Sequence, residues 1–164
     1  MKRGIVFFLA ALLGVGSGVA LAMGFMVTDV SDNSMMPSYT QGDKILVGRQ
    51  VYRNDSPERG DVILFPNRIY SSTGENGLMM KRVIGLPEDQ VMLTGGQVYV
   101  NNRVLEEEDY IFSAGISGEM EQVTVPAGKV FVLGDNRATS TDSRSETVGF
   151  VDADAILGKV IFQW

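Results

Sequence analysis

The sequence predicts an all-β domain preceded by one transmembrane helix. Two observations support this prediction: the chain begins with a long uncharged apolar run, and the remainder alternates short apolar segments with Gly, Pro, Asn and Asp. Segments of this kind are typical of strands in a sandwich or barrel. With 164 residues, the chain has room for an anchor and one domain, but not comfortably for two domains.

The N-terminal segment has the properties of a membrane anchor. The run from Gly4 to Val27 carries no charged side chain, and about 20 apolar residues are enough for a helix to cross the hydrocarbon core. Lys2 and Arg3 favour a cytoplasmic N-terminus. The predicted organisation is a cytoplasmic tail, a transmembrane anchor and an extracytoplasmic β-rich catalytic domain, over residues 1–3, 4–27 and 28–164.

A cleaved secretory signal is the alternative interpretation of this segment. Ala20, Leu21 and Ala22 match a small-x-small cleavage pattern after an apolar stretch. The apolar run continues to Val27, beyond that site, which favours an uncleaved anchor. A buried soluble helix is disfavoured because the run has no polar face.

The remaining chain predicts eight strands. They are residues 44–47, 61–65, 79–85, 90–93, 97–100, 122–125, 129–133 and 155–162. Tight turns are expected at Thr94-Gly95-Gly96 and at Asn101-Asn102. An exposed loop is expected at 66–77. Trp164 is expected to cap a strand in the core, with a membrane-interface anchor as the alternative.

Composition excludes several kinds of chemistry. Cysteine is absent, which excludes disulfides, thiolate zinc sites and thiol catalysis. Histidine is also absent, so a serine hydrolase would need another base, such as lysine. The net charge of −6 makes the chain a poor nucleic-acid binder. The acidic run at 106–109 is interpreted as a solvated surface cluster rather than a metal site.

A serine and a lysine are the candidate catalytic pair. Ser34 alone would be read as part of a capped turn. Lys81 lies in an apolar strand, where alternation sends Lys81 and Arg82 to opposite faces. A buried lysine has a lowered pKa, and the neutral amine can then accept a proton from serine. The alternative for Lys81 is an edge or snorkelling lysine.

A polar loop at 134–144 follows the strand at 129–133. It is either a surface loop braced by Asp–Arg pairs or a set of side chains that orients the lysine amine. In the second interpretation the Ser140 hydroxyl contacts the amine. The residues that would hold Ser140 are Asp135, Arg137, Asp142 and Arg144.

These three segments, with GDKILV at 42–47 and RGDVILF at 59–65, closely resemble the type I signal peptidases in their compact, single-anchor bacterial form. These are membrane-bound serine proteases with a Ser/Lys dyad. The resemblance spans residues 31–150 and implies a signal-peptidase-like β-sandwich or partly open barrel. It further implies cleavage after a small-x-small motif, with signal-peptide-bearing preproteins and the lipid bilayer as partners, and no metal or other cofactor.

The resemblance also implies roles for individual residues. Ser34 would be the nucleophile and Lys81 the general base. The supporting residues would be Ser140 on the amine, the pair Asp142 and Arg144 behind it, Asp135 and Arg137 at the loop opening, and Arg82 after the lysine. The walls of the substrate pocket would be Val30, Met35, Ile45, Leu64 and Met80, with Met35 lining the pocket for the residue before the scissile bond.

One position departs from the family pattern. Some members carry a serine two residues before the nucleophile, where its hydroxyl helps to hold the oxyanion, and here Asp32 occupies that position. The backbone N–H of Ser34 is therefore the expected oxyanion donor. Three alternatives remain: a peptidase specialised for few cargo proteins, a noncatalytic membrane-tethered β domain, and a self-cleaving Ser/Lys regulator, which would need a DNA-binding segment.

Overall fold

The computed structural model describes residues 24–67, 77–111 and 118–164. Regular structure in these ranges consists almost entirely of strands, with a single short 3-10 helix at Ala153–Ala155. The strands are β1 Phe25–Asp29, β2 Lys44–Gly48, β3 Val62–Pro66, β4 Leu78–Gly85, β5 Gln90–Thr94, β6 Gln97–Val100, β7 Arg103–Val104, β8 Met120–Thr124, β9 Lys129–Leu133, β10 Val151–Asp152 and β11 Gly158–Gln163.

The strands form two antiparallel sheets. The larger sheet has the order β1-β2-β11-β3-β4-β9-β10, and the smaller one has the order β7-β6-β5-β8. Neither sheet closes on itself within the described ranges, since β1 and β10 end the first and β7 and β8 end the second. The all-β prediction is confirmed, with two open sheets as the observed architecture.

Both predicted tight turns are present. Thr94 pairs with Gln97, and the two residues between them, Gly95 and Gly96, have φ angles of 58° and 79°. The next hairpin joins β6 to β7 through Asn101 and Asn102, with φ angles of 51° and 63°. Two consecutive residues with positive φ define the turn that matches the twist of a tight hairpin, and Gly and Asn adopt it most readily.

The smaller sheet packs against strands β4 and β9 of the larger sheet. Ile84 of β4 and Phe131 of β9 share one core cluster with Val91 of β5 and Val98 of β6. Strand β4 lies between β3 and β9 and is buried along nearly its whole length. A polar side chain on β4 is therefore surrounded by apolar residues, which is the environment that the candidate lysine requires.

The sequence predictions need correction at both ends of the domain. The predicted anchor extends to residue 27, yet residues 25–27 belong to β1, where Val27 pairs with Leu46 of β2. Apolar character continues across this boundary, so hydropathy alone does not mark it. The predicted strand at 155–162 begins only at Gly158, because a 3-10 helix precedes it.

Other predicted features fall partly or wholly outside the described residues. Residues 1–3 of the predicted tail, 4–23 of the predicted anchor and 68–76 of the predicted loop lie outside them. Within the part of the chain that the structure describes, no helix has the length and apolar character needed to cross a membrane.

Replacement of Gly85 by Ala is expected to destabilise the contact between the sheets. A Cβ at Gly85 would overlap the side chains of Val91 and Val125, at 2.7 and 2.9 Å. Overpacking of this kind costs about 1–3 kcal/mol. Gly24→Ala is the matched control, because its Cβ would meet no atom within 4 Å. Urea unfolding in detergent measures both variants, and an equal effect of the two substitutions would contradict this packing.

Candidate active site

Ser34 lies in the loop that joins β1 to β2. Two backbone hydrogen bonds close the base of this loop, from Val30 N to Asp43 O at 2.8 Å and from Gly42 N to Val30 O at 2.9 Å. A turn from Asn33 to Met36 surrounds the serine. Ser34 itself is buried, so its hydroxyl is held among protein atoms rather than in solvent.

Lys81 lies in the middle of β4, and its side chain contacts Ser34. Its Nζ donates a hydrogen bond to Ser34 Oγ at 2.7 Å and another to the carbonyl oxygen of Met80 at 2.9 Å. The side chain of Lys81 is only 1% exposed. The alternative of a noncatalytic domain predicts that these two side chains lie far apart, and the observed distance contradicts it.

Burial changes the acid–base properties of Lys81. Loss of hydration disfavours the ammonium and lowers the pKa of Lys81 below its ordinary value of 10.5. The negative charges of Asp32, Asp142 and Asp135, in that order, oppose this shift. The amine thus loses its proton more readily than an exposed lysine and can accept one from a hydroxyl at hydrogen-bond distance.

The loop after β9 holds the serine segment from the other side. The N–H of Asn136 donates to the carbonyl oxygen of Ser34 at 2.9 Å. A Cβ on Gly134 would overlap both the Ser140 side chain and the Ser34 carbonyl oxygen. Glycine at position 134 is therefore what allows this loop to approach the serine so closely.

The pair Asp142 and Arg144 stabilises the same loop, as the sequence predicts. Arg144 Nε donates to Asp142 Oδ1 at 2.8 Å, and its Nη2 donates to Asp142 Oδ2 at 2.9 Å. Asp142 Oδ2 also accepts the N–H of Gly134 at 3.0 Å. This fork-like contact is the strong, directional form of an ion pair, and it fixes both ends of the loop.

Arg82 and Asp135 form a second such pair. Arg82 Nε and Nη2 donate to the two carboxylate oxygens of Asp135 at 2.8 and 2.6 Å. The guanidinium of Arg82 also lies 4.1 Å from the ring centre of Tyr110. Lys81 and Arg82 thus have different partners, which agrees with their predicted projection to opposite faces.

Arg137 pairs with a residue that the sequence analysis assigned to the surface. Its Nη1 donates to Glu107 Oε2 at 2.9 Å, and its Nε donates to the carbonyl oxygen of Gly134. Glu107 is only 5% exposed. The interpretation of residues 106–109 as a solvated cluster is therefore wrong for Glu107, and no local signal marks it because its partner lies 30 residues away.

The expected contact between Ser140 and the lysine amine is not observed. Ser140 Oγ is buried and has no hydrogen-bond partner among the described residues. Instead, the Lys81 amine donates its second hydrogen bond to the carbonyl oxygen of Met80. This carbonyl precedes the lysine in the same strand, so the backbone of β4 itself orients the amine.

The expected oxyanion donor is already engaged. The backbone N–H of Ser34 donates to Asp32 Oδ1 at 2.8 Å. A side chain two residues earlier in the chain commonly caps a turn in this way. The departure at position 32 thus has a structural consequence, because the carboxylate binds the amide that an oxyanion would use.

The predicted pocket residues lie together beside the site. All five are buried in one core cluster: Val30, Met35, Ile45, Leu64 and Met80. A cavity of about 470 Å³ lies on the polar side of the dyad, where Asp32, Asn136 and Thr141 line it with Ser34 and Lys81. In the described part of the chain, no group of three or more acidic side chains is placed to hold a metal ion.

An all-β scaffold that holds a serine hydroxyl against a buried amine is competent for nucleophilic hydrolysis, with the amine as base. Comparison with known proteins gives the family. The signal peptidase family, peptidase S26, matches residues 1–164. The probable signal peptidase I-2 of Synechocystis sp. is 35% identical over 136 residues, which cover 82% of this chain and 61% of the relative.

Two further matches agree with it. The probable signal peptidase I-1 of Synechocystis sp. is 35% identical over 159 residues, which cover 93% of this chain and 79% of the relative. A crystal structure of a signal peptidase I from Enterococcus faecalis V583 has a TM-score of 0.50 and 30% identity, covering 66% of this chain and 98% of that chain.

The chain therefore belongs to the signal peptidase family, peptidase S26. Members of this family are serine endopeptidases that remove signal peptides from secreted proteins. The predicted family is confirmed, and with it the predicted class of serine endopeptidase and the predicted removal of signal peptides, as properties of the family. The observed β-sheets are also consistent with the signal peptidase I fold.

Replacement of Lys81 by Met is expected to raise the free energy of unfolding near pH 7. Because the folded pKa lies below the unfolded value of 10.5, the unfolded chain binds more protons between the two values, and stability rises with pH in that window. Each unit of pKa depression costs about 1.4 kcal/mol at lower pH. Methionine fills a similar volume without this cost, so we expect the variant to be more stable than the wild type at pH 7.

Urea unfolding of the wild type and the Lys81→Met variant at pH 7 and pH 10 measures this effect. The stability difference between the variant and the wild type should be smaller at pH 10 than at pH 7. At pH 10 a larger fraction of unfolded wild-type chains already has a neutral lysine, so its burial costs less free energy. A variant that is less stable than the wild type at pH 7 would contradict the sign of the shift.

Proposed function

We propose that the chain is a membrane-anchored serine endopeptidase that removes signal peptides from exported preproteins, with Ser34 as nucleophile and Lys81 as general base. The observation that carries this proposal is the 2.7 Å hydrogen bond between Lys81 Nζ and Ser34 Oγ in a buried setting. The lowered pKa of Lys81 supports it, because only the neutral amine can take the serine proton.

The proposed reaction has two stages. Ser34 Oγ attacks the scissile carbonyl carbon while its proton moves to Lys81 Nζ. The C–N bond then breaks, and the leaving amine takes that proton from Lys81 as the acyl-enzyme forms. In the second stage, a water attacks the ester and gives its proton to the neutral amine of Lys81, which returns it to Ser34 Oγ. The reaction needs no metal or other cofactor.

A closed apolar wall beside the dyad supports a preference for small side chains. Met35 and Ile45 are each 1% exposed, and Leu64 and Met80 pack in the same cluster. Because these side chains are packed against one another, they leave little room for a bulky substrate side chain, which favours the small residues of a small-x-small motif.

We place the active site at the outer surface of a membrane. The proposed anchor lies before β1, within residues 4–24, with the tail of residues 1–3 in the cytoplasm and the β-sheet domain outside. Strand β1, Phe25–Asp29, is then the first part of the folded domain to follow the bilayer. An anchor confines the enzyme and its membrane-embedded substrate to one surface, which raises their effective concentration.

An exposed apolar patch on the β1-β2-β11 edge supports this placement. Val27 and Phe162 both pair with Leu46 and are 56% and 61% exposed. Trp164 stacks on Phe162 with ring centres 5.9 Å apart. At 56% exposure, Trp164 is not the core residue that the sequence analysis expected. The patch begins where the apolar run ends, so we assign the bilayer interface as its partner.

The dyad is tested by Ser34→Ala and Lys81→Met in a preprotein cleavage assay in detergent. Each variant removes either the nucleophile or the base, so we expect kcat/KM to fall by roughly a thousandfold or more. Ser56→Ala and Lys129→Ala are matched controls, because Ser56 is exposed, Lys129 pairs with the exposed Asp152, and neither takes part in the dyad's own hydrogen bonds. Activity near the wild-type level in either dyad variant would disprove the proposed mechanism.

The membrane placement is tested with the intrinsic fluorescence of Trp164, the only tryptophan in the chain. In liposomes, we expect lipids brominated near the headgroup to quench this emission strongly. The double variant Trp164→Phe with Tyr99→Trp moves the reporter to the smaller sheet, where quenching should be weak. Equal quenching at the two positions would contradict the assignment of the patch to the bilayer.

A further inference from the structure

The carboxylate of Asp32 occupies the backbone donor that the proposed reaction requires. Asp32 Oδ1 accepts the N–H of Ser34 at 2.8 Å. In acyl transfer by a serine, the N–H of the nucleophile is a common donor to the oxyanion of the tetrahedral intermediate. Hydrogen bonds to an ionised carboxylate are stronger than those between neutral groups. A neutral substrate carbonyl therefore competes poorly with Asp32 for this amide.

Asp32 also differs from the other carboxylates that act on Lys81. The charges of all three, Asp32, Asp142 and Asp135, favour the protonated amine. Asp142 and Asp135 are each bound to an arginine. Among the described residues, Asp32 takes part in no ion pair. Its charge is thus the least neutralised one near the amine.

The surroundings of Asp32 leave it room to move. The residue lies on the wall of the cavity of about 470 Å³ that also contains the Ser34 and Lys81 side chains. Asn33 and Met36 line the same cavity from the serine loop. A side-chain rotation of Asp32 into this space would release the amide without any change in the backbone.

We propose that Asp32 is a positioning residue that acts as a latch on the active site. In the resting state its carboxylate caps the Ser34 N–H and favours the protonated form of Lys81. When the tetrahedral intermediate forms, its oxyanion takes the Ser34 N–H and displaces the carboxylate into the cavity, so the cost of release falls on the chemical step rather than on substrate binding. This inference rests on the proposed Ser34–Lys81 dyad, and it assigns to the unusual residue at position 32 a restraining effect on the reaction.

Two substitutions separate the two effects of Asp32. Asp32→Ala removes both the cap and the charge, whereas Asp32→Asn removes the charge and keeps an acceptor oxygen. For Asp32→Ala we expect kcat to rise roughly tenfold at the pH optimum, the size of one charge-assisted hydrogen bond, with little change in KM. For Asp32→Asn the rise in kcat should be smaller.

The pH profile gives a second readout. In both variants the acidic limb of kcat/KM should move to lower pH, because a negative charge near the amine has been removed. The charged groups that face the Lys81 amine are Asp32 from the loop after β1 and Asp142 and Asp135 from the loop after β9. The last two keep their partners Arg144 and Arg82 in these variants.

Asp43→Ala is the matched control. Asp43 lies in the same loop, and its Oδ2 caps the N–H of Thr40 at 2.8 Å, so the variant loses an equivalent turn and charge. Asp43 is not among the groups that act on Lys81. We expect its kcat and its pH profile to match those of the wild type.

A third readout does not depend on catalysis. Amide hydrogen exchange of the full chain in detergent, followed by NMR, should show slow exchange at Ser34 in the wild type and faster exchange in Asp32→Ala. A folded Asp32→Ala variant with unchanged or lower kcat would overturn the latch. If that variant does not fold, Asp32→Asn decides the question: an acidic limb at the wild-type pH would overturn the proposal. Retained activity in Ser34→Ala would instead disprove the proposed function and leave the exchange result standing.

Discussion

The structure depends on keeping one lysine amine buried and close to a serine hydroxyl. A charged ammonium would be costly in this interior, and Lys81 is surrounded by strands whose side chains are apolar on most sides. The amine of Lys81 donates two hydrogen bonds, one to the hydroxyl of Ser34 and one to the backbone carbonyl of Met80. Both acceptors are neutral, so they orient the amine without favouring its protonated form as strongly as a carboxylate would.

Two arginines make this arrangement possible by neutralising Asp135 and Asp142, carboxylates that act on Lys81, and a third arginine fixes the same loop. Arg82, Arg144 and Arg137 each contact a carboxylate, and each contact uses more than one nitrogen of the guanidinium. Without such partners, Asp135 and Asp142 would raise the pKa of Lys81 further and reduce the neutral fraction of the amine. A lysine in these positions could not bind both carboxylate oxygens in the same planar geometry. The ion pairs therefore fix the loop after β9 and also limit the negative charge that reaches the amine.

The sequence predicted the parts of this site that depend on local pattern or on family resemblance. Alternation and turn residues placed β4 and both tight hairpins, and the resemblance brought Ser34, Lys81, Asp142 and Arg144 to attention. It did not predict the burial of Glu107, because that burial depends on a partner 30 residues away. It also could not predict that Ser140 lacks a partner or that Asp32 caps the serine amide, since both depend on loop geometry of a few tenths of an ångström. Hydropathy likewise gave no sign that residues 25–27 leave the apolar run to form a strand.

In the proposed membrane placement, strand β1 connects the bilayer to the active site. A strand of five residues spans roughly 17 Å at about 3.3 Å per residue, and Ser34 follows a short loop after Asp29, the end of this strand. The serine is thus held within a short, nearly rigid distance of the point where the apolar run ends. In the proposed reaction, the stretch of a preprotein between its own apolar segment and its cleavage site would have to span a similar distance. Matching these two lengths would let the enzyme find the cleavage site by its distance from the bilayer, so that small side chains in the pocket need to supply only part of the specificity.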